Sequence, residues 1–86
     1  MRGAWFLLSA AEKGNAIAQN RLARLYAFGV VFEKHLPTAA KWHLIARGAG
    51  ASDLELDFLI AKLTSEQRAE AEDEAQAWRD RAAAFY

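Results

Sequence analysis

The 86-residue chain contains no cysteine and only one proline. The absence of cysteine excludes disulfide bonds and thiolate metal sites, so folding must depend on the burial of apolar side chains. No apolar run approaches the roughly 20 residues that span a bilayer. Eleven basic residues balance eleven acidic ones, which gives no net positive field to attract nucleic acid. We therefore expect a soluble protein, cytoplasmic or periplasmic, that neither inserts into membranes nor binds nucleic acid.

Hydrophobic residues make up 53% of the sequence, enough for a folded core, and the length allows a single domain. The apolar run at residues 4–8, followed by Ser9 and two alanines, superficially resembles a short secretory signal. The internal repeat described next accounts for the same residues, so we interpret them as part of a helix.

Large aromatic residues recur at an interval of 36 residues, at Phe6, Trp42 and Trp78. Small residues keep the same interval, both three positions before each aromatic and four positions after it. These small residues are Gly3, Ala39, Ala75, Ala10, Ala46 and Ala82. A small residue, an aromatic residue and a second small residue at these spacings lie on one face of a helix. The sequence therefore predicts three related helices.

A second type of helix is predicted between them, because Ala18, Leu22, Leu25 and Tyr26 fall on one helical face. Thirty-six residues further on, three of these four positions remain apolar. The four equivalent residues are Leu54, Phe58, Ala61 and Lys62. The predicted helices span residues 4–13, 16–28, 37–47, 52–63 and 65–84.

The residues at the predicted helix ends agree with this order. Gly14 and Gly50 suit the left-handed position after a helix, and Pro37 suits a first helical turn. Ser52 is a plausible N-cap, and Thr64 with Gln67 has the spacing of a capping box. The sequence thus predicts an all-α fold built from antiparallel helix pairs. The predicted core contains Phe6, Ala10, Ala18, Leu22, Leu25, Tyr26, Trp42, Ala46, Phe58 and Trp78.

The pattern resembles the Sel-one-like repeat family of the tetratricopeptide superfamily. The resemblance covers the whole chain and is carried by Ala18, Leu22, Tyr26, Gly29, Ala39, Trp42, Ala46 and Gly50. The sequence departs from the family pattern at Ala23, at Val31, which replaces the second loop glycine, and at His35, which replaces the loop aspartate. The connecting loop is therefore expected to differ in shape.

The resemblance implies a right-handed solenoid of about five helices that acts as a scaffold or adaptor for other proteins, without catalysis. On this interpretation residues 1–14 are a partial repeat, 15–50 a full repeat and 51–86 a degenerate C-terminal capping repeat. The alternative is a purely structural cap of a longer array with no partner of its own. The exposed half-repeat at Trp5, Leu7 and Leu8 is expected to promote self-association.

Partner contacts are predicted on the two intervening helices, where such solenoids present their concave side. In the first, Gln19, Asn20 and Arg24 lie outside the predicted core face. In the second, Leu56 and Ile60 form an apolar stripe with Leu63, which suits either a groove for a partner helix or cover by the last helix.

No residue pattern predicts a catalytic, cofactor or metal site. His35 and His43 are the only histidines and lack a carboxylate at ligand spacing, so we interpret them as a loop histidine and a partly exposed helix histidine. The acidic residues between Glu70 and Glu74 spread around a helix rather than converging, as on a solvated face. We expect a protein that is not an enzyme.

Overall fold

The computed structural model describes residues 2–84, with side chains from residue 3 onward. Within this range the chain forms helices joined by loops, and it contains no β-strand. Met1, Phe85 and Tyr86, at the ends of the predicted first and third repeats, lie outside the described residues. The five helices are α1 (Arg2–Glu12), α2 (Ala16–Phe28), α3 (Leu36–Gly48), α4 (Leu54–Ile60) and α5 (Ser65–Ala83). The all-α class and the number of helices are confirmed.

The helix ends are fixed by side chains that satisfy free backbone amides. Asn15 caps α2 by accepting a hydrogen bond from the Ala18 amide at 2.9 Å. The predicted capping box of α5 is confirmed, since the Thr64 and Gln67 side chains each accept from the other's backbone amide. The predicted cap at Ser52 is wrong, because the neighbouring Asp53 caps α4.

Three glycines and one valine adopt the left-handed backbone conformation where helices end or the chain turns. Gly29 ends α2 with φ +68°. Gly14 and Gly50 have φ angles of +95° and +99°, as predicted for residues that follow a helix. Val31, in the loop between α2 and α3, has φ +71°. A β-branched residue rarely adopts this conformation. The position where the family pattern has glycine thus keeps a glycine-like backbone.

The hairpin of α2 and α3 is the centre of the fold, with α1 packed on α2 and α5 packed on α3. The short α4 contacts both helices of the hairpin. Alanines dominate the core, and their small side chains allow the helix axes to approach closely. The main core cluster consists of Ala11, Ala18, Leu22, Ala23, Ala27, Ala39, Trp42, Ile45, Leu56 and Ala75.

The three aromatic residues of the 36-residue interval do not share one environment. Trp42 is buried, and the half-buried Trp78 meets it edge-on with ring centroids 6.3 Å apart. Phe6 is 68% exposed, so its prediction as a core residue is wrong. The reason is that α1, as far as it is described, does not pack on α3 in the way that α5 does. The solenoid arrangement stays a prediction.

Helix α4 is rotated about its axis relative to the predicted repeat. It buries Leu56 and Ile60, while Phe58 is 73% exposed and Leu54 is 74% exposed. The prediction of Phe58 as a core residue is therefore wrong. The buried face carries aliphatic residues at helical spacing, namely Leu56, Leu59, Ile60 and Leu63. These residues form a longer apolar stripe than the face carrying Phe58, which ends at Lys62.

Candidate protein-interaction surface

The predicted polar contact residues of α2 make intramolecular hydrogen bonds. Gln19 is buried, and its side-chain Nε2 donates to the Ala11 carbonyl at 3.0 Å. The Asn20 amide donates to Asp53 at 2.9 Å, and the Arg24 guanidinium reaches both Asp53 at 2.8 Å and Glu55 at 2.7 Å. Asn20 and Arg24 therefore link α2 to the start of α4, whereas Gln19 links α2 to α1. Burial removes Gln19 from the surface, so that part of the prediction needs correction, whereas Asn20 and Arg24 as partner contacts stay a prediction.

Leu56 and Ile60, the predicted apolar contact residues, are both buried. Leu56 belongs to the main core, and Ile60 packs in a smaller cluster with Ala40 of α3 and Ala71 of α5. Of the two alternatives for this stripe, the structure shows cover by the fold itself. The interpretation of Leu56 and Ile60 as an open groove is therefore corrected.

Hydrogen-bond donors around Asp53 stabilise the ionised form of this carboxylate. Partial burial raises the pKa of Asp53, but hydrogen bonds from Asn20, Arg24 and the Leu56 amide outweigh that effect and leave it below the ordinary value of 3.8. Hydrogen bonds to Glu55 and then Asp53 raise the pKa of Arg24. The cluster is an internal ion-pair network that joins α2 to the start of α4.

A buried histidine joins α3 to α4. His43 is fully buried, so its prediction as a partly exposed residue is wrong, and its Nε2 donates to the Asp57 carboxylate at 2.6 Å. Arg47 also donates to Asp57, at 3.2 Å. The hydrogen bond from His43 lowers the pKa of Asp57, desolvation opposes it, and Arg47 adds to the lowering. The other imidazole nitrogen, Nδ1, is buried without a hydrogen-bond partner.

Asp57 and Arg47 also line a cleft of ≈ 220 Å³ between α3, α4 and α5. Its other lining residues are Ala40, Leu44, Ile60, Leu63, Arg68, Ala71 and Glu72. This lining provides an apolar floor and four charged groups at the rim. It contains no serine, threonine or cysteine that could act as a nucleophile. The volume is below that of a typical small-molecule pocket and suits a single side chain.

Three neighbouring recesses lie beside α1, two with mainly apolar surfaces and one with a mixed polar and apolar lining. Together we call them the α1 groove. The first recess, ≈ 280 Å³, is lined by Ala4, Trp5, Leu8, Val31 and Phe32. The second, ≈ 230 Å³, is lined by Trp5, Leu8, Ser9 and Glu12. The third, ≈ 160 Å³, is lined by Glu12, Trp78, Arg81 and Ala82. Neighbouring recesses share lining residues, so they lie next to one another along α1.

Three contacts hold the walls of the α1 groove in place. The ring of Phe32 stacks on Tyr26 of α2 with centroids 4.5 Å apart, which fixes the loop at the first recess. The Trp78 indole donates a hydrogen bond to the Glu12 carboxylate at 3.1 Å. This bond joins α5 to the end of α1 at the third recess. Along α1 itself, Leu7 and Leu8 are half-buried against the core, although we predicted them to be exposed. Trp5 remains 70% exposed.

Sequence reasoning identified Trp5 and Leu8 but missed the rest of the groove. One signal was available, because Trp5 falls outside the 36-residue pattern and its equivalents are Lys41 and Ala77. An aromatic residue at a position that is otherwise polar or small indicates a surface role. The third recess had no signal, since Glu12 and Trp78 are 66 residues apart in the chain.

Within residues 2–84, no group of three or more His, Cys, Asp or Glu side chains is placed to hold a metal ion. None of the described helices is both long and apolar enough to cross a bilayer.

The chain was compared with models of known protein families, with curated proteins and with solved structures, and none of the three comparisons gave a match.

Proposed function

We propose that this chain is a non-catalytic protein-interaction module that binds an α-helix of a partner protein in the α1 groove. The observation that carries the proposal is the row of three side-chain-sized recesses along α1. Their lining residues on α1 centre near positions 5, 8 and 12, so the recesses succeed one another at about one helical turn, ~5 Å. Apolar side chains at positions i, i+4 and i+7 of a bound helix have the same interval.

The chemistry of the groove supports the same proposal. Trp5 presents a large, mostly exposed indole at the junction of the first two recesses, and exposed tryptophans are enriched among residues that dominate protein interfaces. Val31 keeps an apolar side chain at the surface in a backbone conformation that costs stability. Backbone strain at an exposed apolar residue is typical of a binding site, where the side chain contacts a ligand.

The proposal is tested by affinity capture from a lysate of the source cells, followed by quantitative mass spectrometry. Trp5→Glu places a charge in two of the recesses, and we expect it to remove the captured partner. Ile17→Glu is the matched control, because Ile17 is an exposed apolar residue of α2 that lines none of the recesses. Equal capture by the wild type and Trp5→Glu, with both variants helical by circular dichroism, would refute the proposal.

One observation favours the alternative of a structural cap for a helical array. The outward surface of α5 is polar over its first three turns, where Glu66, Glu70, Asp73 and Glu74 are exposed. Terminal repeats of helical arrays carry such polar outer faces. A cap without a partner of its own predicts no specific capture by the wild type in the same experiment.

A further inference from the structure

We propose that the helix bound in the α1 groove is α4 of a second copy of this chain, so that copies associate head to tail. The inference rests on the proposed function, since it uses the same groove, and it names the occupant. Four observations carry it: the exposed face of α4, the spacing of its apolar residues, the distribution of charge, and the separation of the two surfaces on one molecule.

The outward face of α4 is apolar although the core does not use it. Leu54 and Phe58 are the two most exposed large apolar residues in the described range. Ala61, directly after the helix, is exposed on the same face. The opposite face already buries Leu56 and Ile60. An exposed leucine and phenylalanine one turn apart therefore add nothing to the packing of their own chain.

The spacing on α4 matches the groove. Leu54, Phe58 and Ala61 stand at positions i, i+4 and i+7, the pattern of a helix that inserts one face into an apolar groove. The three recesses of the α1 groove follow one another at a similar interval, ~5 Å. Their volumes of ≈ 280, ≈ 230 and ≈ 160 Å³ suit single side chains. Phe58 is the middle residue of the three, so it meets the middle recess of ≈ 230 Å³, which Trp5 and Leu8 line.

Charge is distributed so that the two halves of the chain attract each other. Residues 1–52 contain seven basic and two acidic residues, whereas residues 53–86 contain four basic and nine acidic residues. Part of this charge is neutralised internally by the pairs of Arg24 and Arg47 with the acids of α4. Outside these pairs, the first half presents exposed basic residues, and α5, which follows α4, presents exposed acidic ones. A neutral chain with charged halves favours head-to-tail contact.

The groove and the exposed face of α4 share no residue, so one molecule carries both surfaces at once. Contacts between two different surfaces are heterologous and continue from copy to copy. The apolar contact centres on two aromatic residues, Trp5 of one copy and Phe58 of the next. Since such side chains bury about 150–250 Å² each, the interface falls at the small end of specific interfaces. Association is therefore weak and depends on protein concentration.

Sedimentation analysis of two single variants and their mixture tests the inference. Trp5→Glu disables the groove, and Phe58→Glu disables α4. Both residues are mostly exposed, so both variants are expected to keep the helical circular dichroism of the wild type. The wild type is expected to grow beyond twice the monomer mass as its concentration rises. Each variant alone stays monomeric, and their equimolar mixture forms a 1:1 complex that does not grow further.

Three results would overturn the inference, and the first leaves the proposed function intact. A wild type that stays monomeric at millimolar concentration while Trp5→Glu still abolishes capture of a partner shows that the groove holds a helix of another protein. Self-association of Phe58→Glu at the wild-type level shows that α4 is not the occupant. Failure of the mixture to form the complex also shows that α4 is not the occupant. Leu54→Glu, used in place of Phe58→Glu, repeats the test independently.

Discussion

Val31 is the residue at which the backbone is most clearly under strain. Its φ of +71° lies in the left-handed region, where an L-residue with a Cβ pays roughly 1–2 kcal/mol and a β-branched one more. The strain is local, because the preceding Val30 does not have a positive φ. The side chains of Val30 and Val31 are exposed to a similar extent. The two valines therefore form a matched pair within one loop.

Replacing Val31 by glycine is expected to stabilise the protein. Glycine adopts the left-handed conformation without strain, and the gain is partly offset by the larger backbone entropy of the unfolded chain, so the net increase in unfolding free energy is about 1 kcal/mol. Val30→Gly carries only the entropic cost and should destabilise by roughly 0.5–1 kcal/mol. Urea denaturation of both variants gives the comparison. A loss of stability in Val31→Gly equal to that in Val30→Gly would mean that the strain is negligible.

Asp53 makes the unfolding free energy of the protein depend on pH in the acid range. Its pKa is lower in the folded protein than its ordinary value of 3.8, so the ionised form stabilises the fold above that value, and this stabilisation is lost as the pH falls through the folded pKa. Asp53→Asn keeps an N-cap for α4 but removes the charge that binds Arg24. We expect a loss of about 1 kcal/mol at neutral pH. The difference should shrink below pH 3.8; denaturation curves at neutral and acid pH that show a constant difference would contradict this account.

At the scale of single elements, the sequence predicted the positions of helices better than the faces they bury. The bounds of α2 were predicted without error. They coincide with two local features of the structure, since Asn15 caps the helix and Gly29 ends it in the left-handed conformation. The burial of α4 was mispredicted because the repeat interval was used to assign its core face. No loop like that between α2 and α3 follows α4, and α5 starts within a few residues of it at Ser65. The orientation of α4 therefore depends on its packing against α2 and α3. This packing cannot be read from the spacing of residues in the sequence.

The two faces of α4 should respond differently to truncation. Leu56→Ala and Ile60→Ala remove buried side chains and are expected to lower the unfolding free energy by about 2–4 kcal/mol each. Leu54→Ala and Phe58→Ala remove mostly exposed side chains, and a change within about 0.5 kcal/mol is expected for the monomer. Thermal denaturation at low protein concentration measures all four. A large loss in Phe58→Ala together with a small one in Leu56→Ala would support the face predicted from the repeat.

For the whole molecule, the parts of the surface proposed for binding lie where distant segments meet. The α1 groove needs α1, the loop at Val31 and Phe32, and the end of α5, which come together only in the folded chain. Sequence patterns identify Trp5 as unusual but cannot place Trp78 beside Glu12. The division of charge between the two halves, in contrast, is readable from the sequence alone, and it bears on how copies of the whole molecule approach one another.

The division of charge predicts that self-association weakens as salt is added. If the basic first half of one copy faces the acidic second half of the next, ions screen this attraction over a Debye length of roughly 10 Å at 0.1 M and 3 Å at 1 M salt. The apolar contact of Trp5 and Phe58 remains, and sodium chloride does not weaken it. Sedimentation of the wild type across this range of sodium chloride should therefore show the apparent dissociation constant rising several-fold without complete loss of the complex. An association that strengthens with salt would point to a contact that is apolar alone, and one abolished by salt would leave no role for the α1 groove.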